Sequence, residues 1–445
     1  MATPRSTWAR LLIIVMVAVV LIVALGAWVY TTTPLGERAQ NVQRRLAARF
    51  LPHEAPAVAF VPTPVISAAE KEAALSLLAT ATVAPTVAPT APPSTPTTAP
   101  AASQAAVSQS AAAAASPTVP RPTATPTPVV ALAPVLGKID LGTMRHEYQG
   151  WNNCGPTTIA MDLNYFGKPT TQKEAAAALK PDPNDKNVGP DELADYAHTQ
   201  GMGGIYRLNG NLDMLKALLS NGIPVIVEHW FIPEPNDEMG HYKLLKGYDD
   251  ETQQFIANDS YNGPNIHIGY AEFDRLWRVF NRTYVVVYPM DKEAVVKAIV
   301  GPDWDEQAMW QRSLAGAQSD VAQDQNDKFA WFNLGTSLEG LGKHPEAARA
   351  YDQARRLDLP WRMLWYQFGP FEAYMAVGRY QDVLSLADAN LKSANNLEES
   401  YFYRGKALQA MGQTAEARKS FEQAVKLNTN FQRAKDALSQ LTASQ

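Results

Sequence analysis

Cysteine is nearly absent: Cys154 is the only one in 445 residues. That excludes a disulfide scaffold and any zinc site built from several thiolates. His229, Glu238 and His241 make no helical i, i+4 pair that could replace them, so neither a metal nor a cofactor is expected. Positive charge is not concentrated anywhere. The net charge is −5 and no basic stripe runs along the chain, so nucleic acid is not an expected partner. No Gly-x4-Gly-Lys-Ser/Thr phosphate loop occurs. Two stretches also lack something: residues 11–30 carry no charge, and residues 51–134 carry few large apolar side chains.

The charge-free stretch reads LLIIVMVAVVLIVALGAWVY, long enough to span a bilayer as one helix after a short tail at 1–10. Trp28 and Tyr30 stand where an interfacial aromatic belt belongs. A cleaved signal peptide would have a shorter apolar core and a small-x-small site, whereas this one ends in bulky Trp28-Val29-Tyr30. An uncleaved anchor in the cell membrane is expected. Arginines flank it on both sides, so charge alone does not orient it. Residues 31–136 do: a short juxtamembrane helix at 36–50 leads into VAPTVAPTAPPSTPTTAP and PRPTATPTP. Repeated proline blocks helix and sheet, and so little apolar bulk cannot form a core. A disordered stalk of roughly 80 residues could reach about 250 Å at ~3.1 Å per residue. Within it, 67–81 is more helical in composition and would fold only transiently. Such a stalk, and the cysteine poverty, suit the outside of the cell, so the later domains are expected to be extracytoplasmic.

Order is expected from Gly137. Residues 137–290 read as an α+β domain: helices at 159–166, 193–199 and 212–220, then strands at 224–228, 241–248, 254–258 and 284–288. Residues 291–445 read as all-α. Trp331, Leu334, Gly335, Gly342, Ala347, Tyr351, Ala354 and Pro360 line up with Tyr374 and Gly378, and with Tyr401, Gly405, Gly412, Ala417, Phe421 and Ala424. Gly342, Gly378 and Gly412 are 36 and 34 residues apart, close to the tetratricopeptide period. Three repeats are expected, the middle one degenerate, between a leading helix at 305–323 and a closing helix at 431–441.

A lone thiol outside the cytoplasm is either inert filler or a reagent, and its neighbours favour the reagent. Cys154-Gly155-Pro156-Thr157-Thr158 reads as a helix start, where unpaired N–H groups stabilise a thiolate. His241, beginning a strand, is the expected general base, with His229 a weaker substitute. Asp259, ending the next strand, would orient it. Asp249 and Asp250 belong to the turn between those strands. The Cys154 N–H and the Gln149 amide would hold an oxyanion. Trp151, Asn153, Trp230 and Tyr242 are candidates to line a substrate cleft.

These residues resemble the C39-like peptidases, a branch of the papain-like cysteine peptidases. The likeness runs over about 138–289. It rests on Gln149-x4-Cys154-Gly155-Pro156, Asn164-Tyr165-Phe166-Gly167, Gly240-His241 before Gly247-Tyr248, and Asn258-Asp259. The resemblance implies a papain-like fold and thiol attack on an amide, with Cys154 as nucleophile, His241 as base, Asp259 as orienting acid and Gln149 as oxyanion donor. Ser260 departs from the proline that many members have after the aspartate. Without a phosphate loop and with one membrane span, transport-coupled leader processing is not implied.

The expectation is therefore a membrane-anchored extracytoplasmic cysteine peptidase. It would act on a peptide or protein, and its repeats would bind a protein partner. Two rivals stay open: a non-catalytic scaffold acting through the repeats, and a cell-wall amidase or transglutaminase-like enzyme using the same triad.

Overall fold

The computed structural model describes residues 60–81 except 65, and 130–443 except 183–184 and 234–237, besides 16, 22, 23, 25 and 26 near the start. The expected span at 11–30 lies almost entirely outside these. Among the described residues no helix is long and apolar enough to cross a membrane.

Part of the expected stalk is folded. Helix α1 (Ala68–Leu75) opens on a capping box, in which the Ser67 hydroxyl accepts from the Glu70 N–H and the Glu70 carboxylate accepts from the Ser67 N–H. A 3-10 turn, Ser76–Ala81, follows. Val61, Ala74 and Leu77 are buried in the core of the repeats. Gln318 Nε2 donates to the Leu77 carbonyl at 2.9 Å, and Arg355 donates to the Pro62 carbonyl at 2.9 and 2.7 Å. Sequence periodicity misses this because the segment's apolar residues find their partners more than 200 residues away.

The α+β domain runs β1 (Lys138–Asp140), α2 (Cys154–Tyr165), α3 (Gln172–Leu179), α4 (Pro190–Thr199), β2 (Gly203–Arg207), α5 (Leu212–Ser220), β3 (Val225–Phe231), β4 (Met239–Asp249), β5 (Gln254–Asp259), β6 (Gly263–Gly269), α6 (Tyr270–Trp277) and β7 (Tyr284–Tyr288). The sheet order is β2-β7-β3-β4-β5-β6, every neighbouring pair antiparallel, and β1 joins the far end of β4. Both faces of the central strands are covered, which is why β7 reads as an unbroken Tyr-Val-Val-Val-Tyr. Ile226, Leu244, Val285 and Val287 pack under α2 and α4, while Val225, Val227, Leu245 and Val286 pack under α5 and α6.

The expected helices and strands of this domain are present, and five further elements, β1, α3, β2, β6 and α6, join them. Gly203-Gly204 stands at the head of β2. In the fold a Cβ on Gly204 would sit 2.4 Å from the Ala194 carbonyl, so glycine is required for α4 to lie against the strand.

The remainder is helical: α7 (Glu293–Val300), α8 (Glu306–Gln323), then the pairs α9 (Lys328–Gly340) with α10 (His344–Arg356), α11 (Gly369–Ala376) with α12 (Tyr380–Ser393) and α13 (Glu398–Ala410) with α14 (Thr414–Leu427), and α15 (Gln432–Ala443). Each pair turns at a left-handed glycine: Gly342, Gly378 or Gly412, at φ 70°, 77° and 77°. Within pairs, a small residue receives an aromatic ring. A Cβ on Gly335 or Gly405 would come 2.6 Å from the ring of Tyr351 or Phe421.

Candidate active site

Helix α2 places Cys154 at its first residue. The Asn153 carbonyl accepts from the N–H of Thr157 at 2.9 Å, and Pro156 occupies the first turn. The Cys154 N–H therefore has no intrahelical acceptor, as for every first-turn donor. Cys154 stays partly exposed.

Strands β4 and β5 bring His241 and Asp259 together. His241 Nε2 lies 2.8 Å from Asp259 Oδ1, with both residues buried. That commits Nε2 to the carboxylate and leaves Nδ1 as the ring nitrogen available to Cys154, whose thiol the ring influences. Asp259 is saturated with donors. Tyr261 N–H and Asn262 N–H reach Oδ1 at 2.8 and 2.9 Å, and Asn262 Nδ2 and Lys243 Nζ reach Oδ2 at 3.0 and 2.6 Å.

The electrostatics follow from this packing. Burial works to raise the Cys154 thiol, but the hydrogen bond and charge of His241, with the Tyr242 N–H and Lys180, outweigh it and hold the thiol below its ordinary value. Burial works to lower His241, yet Asp259 and the bond to Cys154 raise it despite the nearby Lys243 charge. Burial would raise Asp259; Lys243 and His241 hold it well below the carboxylate range. The arrangement thus favours a thiolate–imidazolium pair, a nucleophile with an attached proton donor.

Gln149 sits beside Asp259 by a two-point tie to Ser260. Its N–H donates to the Ser260 carbonyl at 2.9 Å, and its Oε1 accepts from Ser260 Oγ at 2.8 Å. Ser260, which departs from the family's proline, thus orients the expected oxyanion donor.

The four cleft candidates separate. Trp151 is 61% exposed, with Lys186 Nζ 5.3 Å from its ring centroid. Asn153 is half-buried, its amide donating to Gln172 Oε1 at 3.0 Å. Trp230 and Tyr242 correct the expectation: both are buried and offer no surface to a substrate. Trp230 packs on Phe280 and Phe329, where the two domains meet. Tyr242 donates its hydroxyl to the Val188 carbonyl at 2.8 Å. His229 is not a second base; burial lowers its pKa well below the ordinary value, and neither ring nitrogen has a hydrogen-bond partner. Among the described residues no group of three or more His, Cys, Asp or Glu could hold a metal.

Sequence reading missed Lys243 and Gln172. Lys243 had a signal: it is two residues after His241 on the same strand, a charge on the same side in a buried run. Gln172 had none. Its Oε1 accepts from Gly150 N–H and Asn153 Nδ2 at 2.7 and 3.0 Å, and its Nε2 donates to Glu147 Oε1 and the Tyr148 carbonyl at 2.9 and 2.8 Å, so one side chain shapes the loop before Cys154.

Comparison with known proteins agrees on the two domains. The model of the Peptidase_C39 like family matches residues 140–285, and a tetratricopeptide repeat model matches 398–440. No curated protein matches the chain. Among solved structures, a double glycine motif protease from an AMS/PCAT transporter, in complex with its leader peptide, is 21% identical. The match covers 33% of this chain and 93% of that one, with a TM-score of 0.26. Xylellain, a cysteine protease from Xylella fastidiosa, is 16% identical over 35% of this chain and 87% of its own, with a TM-score of 0.23. A double mutant of MamA RS-1 is 16% identical over 31% and 77%, at 0.29. The chain therefore carries a C39-like peptidase domain followed by a tetratricopeptide repeat region.

Proposed function

We propose that the protein is a cysteine peptidase, anchored in the membrane by residues 11–30 and working outside the cytoplasm. The observation that carries the chemistry is the buried Asp259–His241 pair, 2.8 Å apart, beside Cys154 at a helix start. The Cys154 thiolate attacks the carbonyl carbon of a peptide bond. The oxyanion is held by the Cys154 N–H and the Gln149 amide. His241 gives its proton to the departing amine, leaving a thioester. It then takes a proton from water, whose oxygen attacks the thioester, and the acid and the thiolate are released. Asp259 holds the ring and stabilises its cationic form throughout.

The test is hydrolysis of unfolded, fluorescently labelled casein by the full chain and by Cys154→Ala. It is paired with iodoacetamide labelling of the wild type across pH. Labelling that rises below the ordinary thiol range, and slows in His241→Ala, supports the reading. An ordinary thiol profile in both, with no hydrolysis, would sink it in favour of a scaffold. Cleavage of peptidoglycan but not of protein would favour the amidase. Protease accessibility of the repeats on intact cells tests the placement; protection would refute it.

A further inference from the structure

The repeats stand on both sides of the catalytic cysteine. On the sheet side, the connection into α11 lies against the start of β4. A Cβ on Gly240, the residue before His241, would sit 3.2 Å from the Tyr366 ring. Tyr366 also meets Phe280 edge-on at 6.3 Å. Arg362 Nη1 donates to the Glu238 carbonyl at 3.3 Å, and Gln367 Nε2 to the Val279 carbonyl at 3.4 Å. On the helical side, Asn187 Nδ2 donates to Glu399 Oε1 at 3.3 Å, and Asn430 Nδ2 to the Ala178 carbonyl at 3.2 Å. Asn187 adjoins Val188, whose Cβ lies 3.2 Å from where a Cβ on Gly155 would be. One anchor is thus next to His241 and the other next to Cys154-Gly155.

These contacts come from the connection into α11, the start of α13 and the turn before α15, and first helix α9 adds to them. Asn333 and Ser337 of α9 bond the Arg278 carbonyl and Asn281, and Glu399 belongs to α13. The other surface is occupied: α10 and α8 hold residues 60–81 through Arg355 and Gln318. Repeats that only recruited a partner would leave the cleft's two sides free. Here they contact the peptidase domain beside both His241 and Cys154, while Trp151 remains exposed.

We propose that the repeats roof a composite cleft, so that polypeptide reaches Cys154 only as an extended segment, a terminus or an unfolded stretch, passing between the peptidase domain and the first-helix surface. This rests on the peptidase reading and deepens it by naming the substrate's form. A single extended strand needs only about 5 Å in its hydrogen-bonding direction, whereas even one helix with its side chains needs about 10–12 Å.

Because Cys154 is the only thiol, reagent shape measures access without requiring hydrolysis. The full chain is treated with N-ethylmaleimide, with a maleimide ending a linear polyethylene glycol, and with a maleimide on a short linker from a small folded protein. The linear reagent is expected to react within ~10-fold of N-ethylmaleimide and the folded carrier at least ~100-fold more slowly than N-ethylmaleimide, a barrier higher by over ~2.7 kcal/mol. Arg362→Ala/Glu399→Ala, which loosens both anchors, should speed the folded carrier and leave N-ethylmaleimide unchanged. Equal rates for the linear and folded reagents would overturn the roof. Exclusion of the linear reagent as well would make the repeats a plug and overturn it equally. Failure of the peptidase reading looks different: an ordinary thiol pH profile with N-ethylmaleimide, whatever the shape ratios.

Discussion

The catalytic centre and the repeats both bury charge, but they assemble it differently. In the repeats, Arg379 bonds Asp352 at 2.6 and 3.0 Å across 27 residues, and Arg355 bonds Asp382 at 3.1 Å, also across 27. Each partner lies in the neighbouring helix pair. At the candidate site, Ser260 reaches Gln149 across 111 residues, and Cys154 meets a histidine whose aspartate partner lies on a separate strand. The repeats are thus a sum of nearest-neighbour contacts. The catalytic centre exists only when α2, β4 and β5 are all in place. A single change in the repeats should therefore cost stability and spare the chemistry, and a change at the centre should do the reverse unless it unpairs a charge.

The strongest break in that comparison is Cys154→Ala. Hydrolysis should fall by at least ~10³-fold while the melting temperature holds, since removing a nucleophile spares only binding and the oxyanion site. Loss of folding instead would assign Cys154 to packing.

Lys243→Met should cross the line between the two classes. It unpairs one side of a buried carboxylate, which costs ~3–5 kcal/mol by denaturant titration. Its effect on pH follows from the signs. Lys243 opposes the protonation of His241, so removing it lets the imidazolium persist to higher pH, and the alkaline limb of the activity profile should move upward. Asp259 is depressed in the folded state. Its contribution is present above its unfolded pKa of about 3.9 and fades as pH falls through the folded value, so the variant should approach the wild type in stability in acid. An unmoved alkaline limb would reduce Lys243 to a structural counter-ion.

On the other side of the comparison, Gly405→Ala places a Cβ 2.6 Å from the Phe421 ring. Overpacking of this kind costs about 1–3 kcal/mol. Thiol labelling of Cys154 should keep its pH profile; a shifted profile would show that the distant repeats tune the catalytic pair. The smallest effect is expected from Ser260→Ala, which frees Gln149 from one hydrogen bond worth ~1 kcal/mol. kcat should drop a few-fold with little change in KM or stability. A change in KM alone would place Gln149 in substrate binding rather than at the oxyanion.

The repeats were legible because their signal is local: Gly342, Gly378 and Gly412 mark turns whose left-handed backbone favours glycine, and in the first and third repeats the aromatics recur at the same distance from them. Helix α5 was read at its full length, 212–220, from one apolar face and the Asn221-Gly222 stop. Three parts of the candidate site, Cys154, His241 and Asp259, were marked by short motifs, and the fold brings His241 and Asp259 within 2.8 Å. Residue type sufficed there because a thiolate requires a helix start or an imidazolium. Trp230 and Tyr242 were misplaced because an aromatic in a strand says nothing of which face is covered. The folded part of the stalk, residues 60–81, was hidden for a related reason: its buried side is defined by α8 and α10, not by its own pattern.

The sequence by itself marked a thiol at a helix start and a helical repeat region, since a lone thiol, its helix start and a repeated glycine act within a few residues of one another. Only the tertiary structure decided that Lys243 pairs with Asp259 and Ser260 with Gln149, that an N-terminal segment is bound against α8 and α10, and that the repeat region touches the peptidase domain beside both His241 and Cys154. Each of these depends on close packing between segments far apart in the chain, and such contacts leave no periodic trace in either partner.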